Sequence, residues 1–193
     1  MKKEKIIFLK GKKLILRPLN KETDLEKCLI WTNDPEVTNF LSLFYPIDKI
    51  TEEEWFDKLS KDKNNIILAI ETLEGKFIGT MGLHSINWVN GTATTGALIG
   101  EKKYWGKGYG TEAKMLLLNY AFNHLNLRKI KSEVIDYNKR SLNYSLHCGY
   151  EIEGRKKEEI YKNGQYWDLI QLGLFKDKWL KIWKKYQKTG SVK

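Results

Sequence analysis

Three glycines alternate with larger residues at Gly106, Gly108 and Gly110, immediately before a segment with helical spacing. Glycine loses more conformational entropy on folding than any other residue, so its repeated use requires a role for the backbone. Without Cβ atoms, successive N–H groups can converge, and the N-terminus of the following helix adds about half a positive charge. The segment therefore predicts a binding site for a phosphate or diphosphate, with a tight strand-to-helix turn as the alternative.

The spacing of these glycines excludes two common nucleotide-binding motifs. The P-loop requires Ser or Thr after its lysine, and here Lys107 is followed by Gly108. The dinucleotide motif GxGxxG requires a third glycine where this chain has Thr111. The phosphate ligand is thus expected to be neither a P-loop nucleotide nor a Rossmann dinucleotide.

Length and composition indicate one folded domain. The chain has 193 residues, of which 41% are hydrophobic and 12% aromatic, which suits a single core and excludes intrinsic disorder. The longest apolar run, at positions 66–70, falls far short of the ~18 residues of a membrane span. The apolar run at positions 6–9 is shorter than the ~7–15 residues of a signal peptide's apolar region. We therefore expect one cytoplasmic domain over 1–193, with a core of about 12–180 and a basic C-terminal tail.

Cysteine and histidine usage indicates neither disulfides nor a metal. Cys28 and Cys148 are the two cysteines of the chain and stand far apart in the sequence. Two cysteines do not make a disulfide framework. His147 and Cys148 are adjacent but lack partners at metal-ligand spacing, so no metal is expected.

The formal charge of +10 belongs to the two ends of the chain. Residues 1–13 hold six lysines and one acid, and residues 176–193 hold seven lysines and one acid. The segment between them, residues 14–175, contains 21 basic and 22 acidic residues. Lysine-rich termini are typical of solvated tails and helix faces, so the charge does not favour a nucleic-acid partner.

The order of predicted elements is β-α-α-β-β-β, then the glycine loop, then α-β-α-β. This order is typical of a mixed α/β fold in which an antiparallel meander leads into a βαβ unit. A capping box that begins at Thr51 predicts the start of the second helix. The predicted strands are 14–19, 66–71, 77–84, 92–99, 130–135, 150–153 and 167–175, and the predicted helices are 24–31, a helix from 51, one after the glycine loop, and one from about 141 to 148.

An ordered series of motifs resembles the GNAT superfamily of N-acetyltransferases over about residues 12–180. The glycine loop corresponds to the acetyl-coenzyme A (acetyl-CoA) loop of that superfamily. The series is most similar to the branch that includes the ribosomal-protein alanine N-acetyltransferases. The motifs are Trp31-Thr32-Asn33-Asp34-Pro35-Glu36-Val37, Tyr104 to Ala113, Asn138-x-x-Ser141, Cys148-Gly149-Tyr150, Glu153-Gly154 and Gly164-Gln165-Tyr166-Trp167-Asp168.

The resemblance implies a mostly antiparallel seven-stranded sheet, with splayed central strands and flanking helices, that binds acetyl-CoA. The pantetheine arm would pair with the backbone of Leu98, Ile99 and Gly100. Asn138 would bond that arm, Ser141 would cap the helix that follows, and Tyr144 would also contact the cofactor. The diphosphate would lie on the loop Trp105, Gly106, Lys107, Gly108, Tyr109, Gly110 and Thr111.

Acetyl transfer to an amine requires a route for one proton. An alkylammonium has a pKa of ~10, so deprotonation at pH 7 costs ~3 units, or about 4 kcal/mol. Many relatives place a glutamate on the fourth strand, whereas residues 94–97 of this chain contain no carboxylate. His84, Glu101 and a water relay are the candidate bases.

The departing thiolate is a smaller problem, because its pKa of ~8.5 costs at most about 2 kcal/mol at neutral pH. Relatives often carry a tyrosine seven residues after the asparagine, where this chain has Ser145. The tyrosine stands one position earlier, at Tyr144, and one position turns a helical side chain by ~100°. We therefore expect Tyr144 to face the core and Ser145 or water to be the acid.

The sequence thus predicts an enzyme that moves acetyl from acetyl-CoA to a primary amine, either a protein N-terminal α-amine, such as that of a ribosomal protein, or a small amine. Acetylation of a polyamine or an aminoglycoside is the alternative acceptor chemistry. A polycationic acceptor could meet the acidic run at 52–54. A non-catalytic CoA sensor and a nucleic-acid module that uses the lysine termini are the remaining alternatives, and a homodimer is left open.

Overall fold

A computed structural model describes residues 6–192; residues 1–5 and 193, which carry part of the predicted basic termini, lie outside the described residues. A 3-10 turn, Lys102–Tyr104, precedes the helix Tyr109–Asn119, and a π-helical turn, Tyr120–His124, follows that helix. The strands are β1 (Leu9–Lys10), β2 (Leu14–Pro18), β3 (Ile66–Thr72), β4 (Phe77–Asn87), β5 (Thr92–Ile99), β6 (Lys129–Ile135), β7 (Glu151–Lys162) and β8 (Gln165–Phe175), and the helices are α1 (Lys21–Thr32), α2 (Pro35–Thr38), α3 (Lys49–Leu59), α4 (Tyr109–Asn119), α5 (Lys139–His147) and α6 (Lys176–Thr189).

The chain divides into two compact units, and the first comprises Met1–His84 and Gly96–Leu116. In it, β1 to β4 pair in sequence order, each antiparallel to the next. Its core is formed by side chains of α1, α2 and α3 packed on β3 and β4. The core residues are Leu25, Cys28, Trp31, Val37, Phe56, Ala69 and Phe77, with Leu19, Leu41, Leu98 and Trp105 packed against them.

A buried ionic cluster joins β2, β3 and α1 within this unit. Arg17 binds both carboxylate oxygens of Asp24, at 2.7 and 2.8 Å, and its Nε donates to Glu71 at 2.5 Å. The hydrogen bond with Asp24 raises the pKa of Arg17 above its ordinary value. Arg17 is the shared cation of the cluster, so its loss would remove the cation that both buried carboxylates contact.

The second unit comprises Ser85–Thr95 and Leu117–Lys193. Residues Thr92 to Thr94 of β5 pair in parallel with β6, which pairs antiparallel with β8, and β7 forms the edge. Helix α6 buries Trp179 against Phe122, with ring centroids 5.2 Å apart. The lysine-rich C-terminal segment is therefore an amphipathic helix with one face packed in the core.

The structure confirms the mixed, mostly antiparallel α/β fold and changes three details. Eight strands occur among the described residues where seven were predicted, because the short β1 pairs with β2. The side chain of Asp48, not Thr51, caps α3, and it accepts the backbone N–H of Thr51. Asn138, not Ser141, caps α5 in the same way.

Within residues 6–192, no helix is long and apolar enough to cross a membrane. The single domain over 1–193, the cytoplasmic location and the homodimer stay predictions.

Gly100 offers a test of the core of the first unit. A Cβ at this position would lie 1.9 Å from the ring of Trp31. We expect Gly100→Ala to lower the free energy of unfolding by about 1–3 kcal/mol, because the indole must move out of its packed position. Gly110→Ala is the matched control, since its Cβ would meet nothing closer than 4.0 Å. Urea unfolding of both variants makes the measurement, and equal midpoints would contradict the close contact.

Candidate functional site

The glycine loop adopts a backbone conformation that only glycine accommodates easily. Gly106 and Gly108 have φ of +72° and +84°, in the left-handed region. Apart from chain neighbours, no described heavy atom lies within 4 Å of a Cβ built on Gly106, and only Lys13 Nζ, at 3.6 Å, lies that close to one built on Gly108. The space above both glycines is open, and side chains there would fill it.

The first turn of α4 directs backbone N–H groups toward this end of the helix. The hydrogen bond from Glu112 N to Gly108 O, 3.0 Å long, begins the helical pattern. The N–H groups of Tyr109, Gly110 and Thr111 therefore belong to the first turn, where an α-helix offers no carbonyl partner. Such groups and the helix dipole together favour an anion. The residues present thus fit the diphosphate of CoA.

Two contacts fix the start of the loop. The indole N–H of Trp105 donates to Ile99 O at 2.6 Å, which ties the loop to the end of β5. Lys102, in the 3-10 turn, forms ion pairs with Asp34, at 3.0 Å, and with Glu36. The glycines are flexible by nature, but the segment before them is anchored to β5 and to the N-terminal end of α2.

The backbone at the end of β5 is partly engaged. Gly100 N donates to Ile78 O at 3.0 Å, so this amide is directed toward β4 and is not available to a pantetheine arm. Neighbouring residues in a strand direct their backbone groups to opposite edges, so Ile99 faces away from β4. Of the three residues predicted to pair with pantetheine, Ile99 has that orientation, but its carbonyl oxygen accepts the indole N–H of Trp105, so the pairing stays a prediction.

His84 and Glu101, the two candidate bases, differ in their surroundings. The imidazole of His84 is half-buried, and its Nε2 occupies the space that a Cβ would take at Gly96, 2.6 Å away. Burial lowers the pKa of His84 below its ordinary 6.5. Glu101 forms ion pairs with Lys76 at 2.9 Å and Lys27 at 3.9 Å. His84 is therefore neutral at pH 7, whereas Glu101 is committed to two cations.

The other predicted site residues lie in the second unit. Asn138 Oδ1 accepts the N–H of Ser141 at 3.0 Å, so its oxygen serves the helix cap. Ser145 has 0% exposure, whereas Tyr144 is only half-buried. Ser145 is therefore buried, contrary to the expectation that it stays accessible, and the roles of both residues stay predictions. Burial raises the pKa of Tyr144 well above 10, which keeps its hydroxyl protonated at neutral pH.

Sequence reasoning missed two residues beside the loop. Lys13 Nζ donates to Lys107 O at 3.3 Å, and Glu112 accepts the backbone N–H of Lys13 at 2.8 Å. Lys13 was counted only as part of the basic N-terminal segment. A buried acid in the first turn of a helix, as Glu112 is, could have indicated a tertiary partner, but not which one.

No group of three or more His, Cys, Asp or Glu side chains among residues 6–192 could hold a metal ion. Neither Cys28 nor Cys148 forms a disulfide, and both are buried.

Comparisons with known proteins agree with this geometry. The sequence profile of the family described as "Acetyltransferase (GNAT) domain" matches residues 13–151. The spermidine N(1)-acetyltransferase of Escherichia coli (strain K12) is 30% identical over 166 residues, which cover 86% of this chain and 87% of that protein. The putative ribosomal N-acetyltransferase YdaF of Bacillus subtilis (strain 168) is 32% identical over 106 residues, 55% of this chain and 57% of that protein.

A solved structure shares the fold along nearly its whole length. It is the crystal structure of spermidine N-acetyltransferase from Vibrio cholerae in complex with CoA and spermine. The TM-score is 0.81 at 26% sequence identity, over 88% of this chain and 99% of that one. The chain therefore belongs to the GNAT family and is an acetyl-CoA-dependent N-acetyltransferase, which confirms the family, activity and co-substrate that its motifs predicted.

Proposed function

We propose that the acceptor is a polyamine, with spermidine as the reference substrate. Two observations support this choice: the 30% identity to a spermidine acetyltransferase over 86% of the chain, and the match to a structure that holds CoA and spermine. The match to the putative ribosomal acetyltransferase covers only 55% of this chain, so it favours a ribosomal protein less.

The acidic run at 52–54 does not form an exposed acidic patch. Glu53 pairs with Lys49 at 3.9 Å, and Glu54 pairs with Lys58 at 3.2 Å. Glu52 is buried, and burial raises the pKa of its carboxyl above the ordinary value. Recognition of a polycation is therefore not assigned to this run.

An acceptor panel tests the proposed substrate class. Acetyl-CoA consumption is measured with spermidine, with a peptide that carries a free N-terminal α-amine, and with an aminoglycoside, and the products are identified by mass. We expect kcat/KM for spermidine to exceed the other two values by at least about tenfold, as specific recognition of a substrate's polar groups requires. A higher kcat/KM for the peptide or the aminoglycoside would contradict the polyamine and identify that compound's class as the acceptor.

The co-substrate site we propose is the loop 105–111, which holds the diphosphate with first-turn amides of α4. Bound acetyl-CoA supplies the acetyl group as a thioester. Gly106 and Gly108 leave the space that the phosphate oxygens need, and Trp105 holds the loop against β5 through Ile99. The amides require no reorganisation on binding, because the helix already orients them.

Gly108→Ala tests this site directly. The new methyl group would stand in the open space above the loop, so we expect the Kd for CoA to rise at least about tenfold through lost phosphate contacts. Gly164→Ala is a matched control, since Gly164 has φ of +82° and nothing within 4 Å of its Cβ position. Both variants carry the same backbone strain, of about 1–2 kcal/mol. Equal CoA affinity in the two variants, measured by calorimetry, would contradict the site.

We propose His84 as the group that accepts the proton of the amine. Its imidazole is neutral at pH 7 and half-buried, whereas the carboxylate of Glu101 is held by Lys76 and Lys27. A general base commonly contributes about 10²–10⁴-fold to the rate. The low pKa limits the driving force for proton transfer, but it keeps the acceptor form fully populated at physiological pH.

The pH dependence of kcat checks this role. Protonation of His84 removes its acceptor site, so kcat should fall as the pH drops through a value below 6.5. We expect His84→Gln to lower kcat at least about tenfold and to abolish this acidic limb. His124→Gln, at an exposed histidine, should change neither. An acidic limb that persists in His84→Gln would assign the proton to another group or to water.

A further inference from the structure

The turn between β1 and β2 is held against the first turn of α4 by one buried carboxylate. Glu112 is 6% exposed, and its Oε1 accepts the backbone N–H of Lys13 at 2.8 Å. The same oxygen lies 2.1 Å from the position a Cβ would take at Gly11, so any larger residue there would displace it. The turn itself closes through a hydrogen bond from Gly11 N to Leu14 O of 2.9 Å. The location of Lys13 is thus set by local structure and by a buried contact.

The ammonium of Lys13 lies at the glycine loop as a consequence. Its Nζ is 3.3 Å from Lys107 O and 3.6 Å from the Cβ position of Gly108. Glu112 contacts the backbone of Lys13 and not its ammonium. No carboxylate among residues 6–192 forms an ion pair with Lys13. The positive charge therefore faces the open space above the loop without neutralisation by an acid.

We infer that Lys13 is a further co-substrate-binding residue, whose ammonium contacts the diphosphate of acetyl-CoA. This inference rests on the proposal that the loop 105–111 holds that diphosphate. The amides of the loop carry only partial charges, and Lys13 adds a full positive charge at the same place. A lysine ammonium is a point charge with three donors, so it can bond phosphate oxygens while it keeps the bond to Lys107 O.

The expected effect of Lys13 is on binding and not on the chemical step. A hydrogen bond between charged groups is stronger than a neutral one, and salt screens it when it is exposed. We expect Lys13→Met to raise the Kd for CoA about tenfold at low ionic strength, and less as salt is added. The KM for acetyl-CoA should rise by a similar factor, with kcat at saturating acetyl-CoA unchanged. Lys13→Arg, which keeps the charge, should recover most of the affinity.

Three ligands and one control variant isolate the contact. Binding of CoA, 3′-dephospho-CoA and pantetheine is measured by calorimetry for the unmodified protein, Lys13→Met and Lys12→Met. Lys12 is exposed and adjacent, so Lys12→Met removes the same charge from the neighbouring position. We expect Lys13→Met to weaken CoA and 3′-dephospho-CoA equally, because both carry the diphosphate, and to leave pantetheine unaffected. Lys12→Met should change none of the three affinities by more than about twofold.

Four outcomes overturn the inference. Equal effects of Lys13→Met and Lys12→Met would show that only general charge matters. A loss confined to CoA, with 3′-dephospho-CoA unaffected, would assign Lys13 to the 3′-phosphate instead. A loss that extends equally to pantetheine would contradict a contact with the diphosphate, which pantetheine lacks. Gly108→Ala separates this inference from the site itself: if that variant weakens CoA while Lys13→Met does not, the loop site stands and Lys13 is no part of it.

Discussion

The contact between the indole of Trp31 and the backbone of Gly100 holds the segment that precedes the glycine loop against α1. The ring occupies the volume where any other residue would carry its Cβ, so the close approach of α1 to the end of β5 requires a glycine at position 100. Gly100 then bonds to Ile78 of β4, and Ile99 receives the indole N–H of Trp105. Trp105, the first residue of the loop, is thus tied to Ile99, and the next residue, Gly100, contacts Trp31 of the core cluster. Flexible glycines can form a defined cradle because the residue before them is held in this way.

The proposed diphosphate site would be built with little formal charge on the loop. Backbone amides and a helix N-terminus provide a preorganised set of donors, which a diphosphate can use without rearrangement of side chains. The inferred contribution of Lys13 differs in kind, since it adds a full charge from a separate element. Its location depends on Glu112, a buried acid whose carboxylate accepts the backbone N–H of Lys13 and does not contact the ammonium. An acid that paired with the ammonium would cancel the charge that the phosphates need.

Local patterns predicted the fold well, and tertiary packing explains the failures. The strand at 92–99 was predicted with its observed bounds, and the glycine loop and its helix were found from backbone chemistry alone. The caps were misassigned because Thr51 and Ser141 each follow another good capping residue, Asp48 or Asn138, by three residues, and one helix can use only one of them. These pairs show that a cap must be chosen by comparing all candidates within one turn.

The site was less predictable because it combines residues that are distant in the sequence. Lys13 and Gly108 are 95 positions apart, and no local pattern links a turn between two strands to a loop before a helix. The orientation of Tyr144 and Ser145 likewise depends on which face of α5 is buried, and a rotation of ~100° reverses the answer. The spacing of the glycines predicted the loop, whereas the position of Lys13 beside it could be found only in the folded chain.

Acetyl transfer requires that one proton leave the amine and that the departing thiolate gain one. Removal of a proton from the amine costs about 4 kcal/mol at pH 7, and protonation of the thiolate costs at most about 2 kcal/mol. Burial lowers the pKa of His84 and so keeps its imidazole neutral, as its proposed role as proton acceptor requires, and burial raises the pKa of the Tyr144 hydroxyl. His84 also requires that Gly96 carry no side chain, since its ring fills that space. Gly96 lies within residues 94–97, the segment in which many relatives carry a glutamate and this chain has no carboxylate. On the proposed role of His84, the imidazole that fills the space beside Gly96 takes the place of that glutamate as the base.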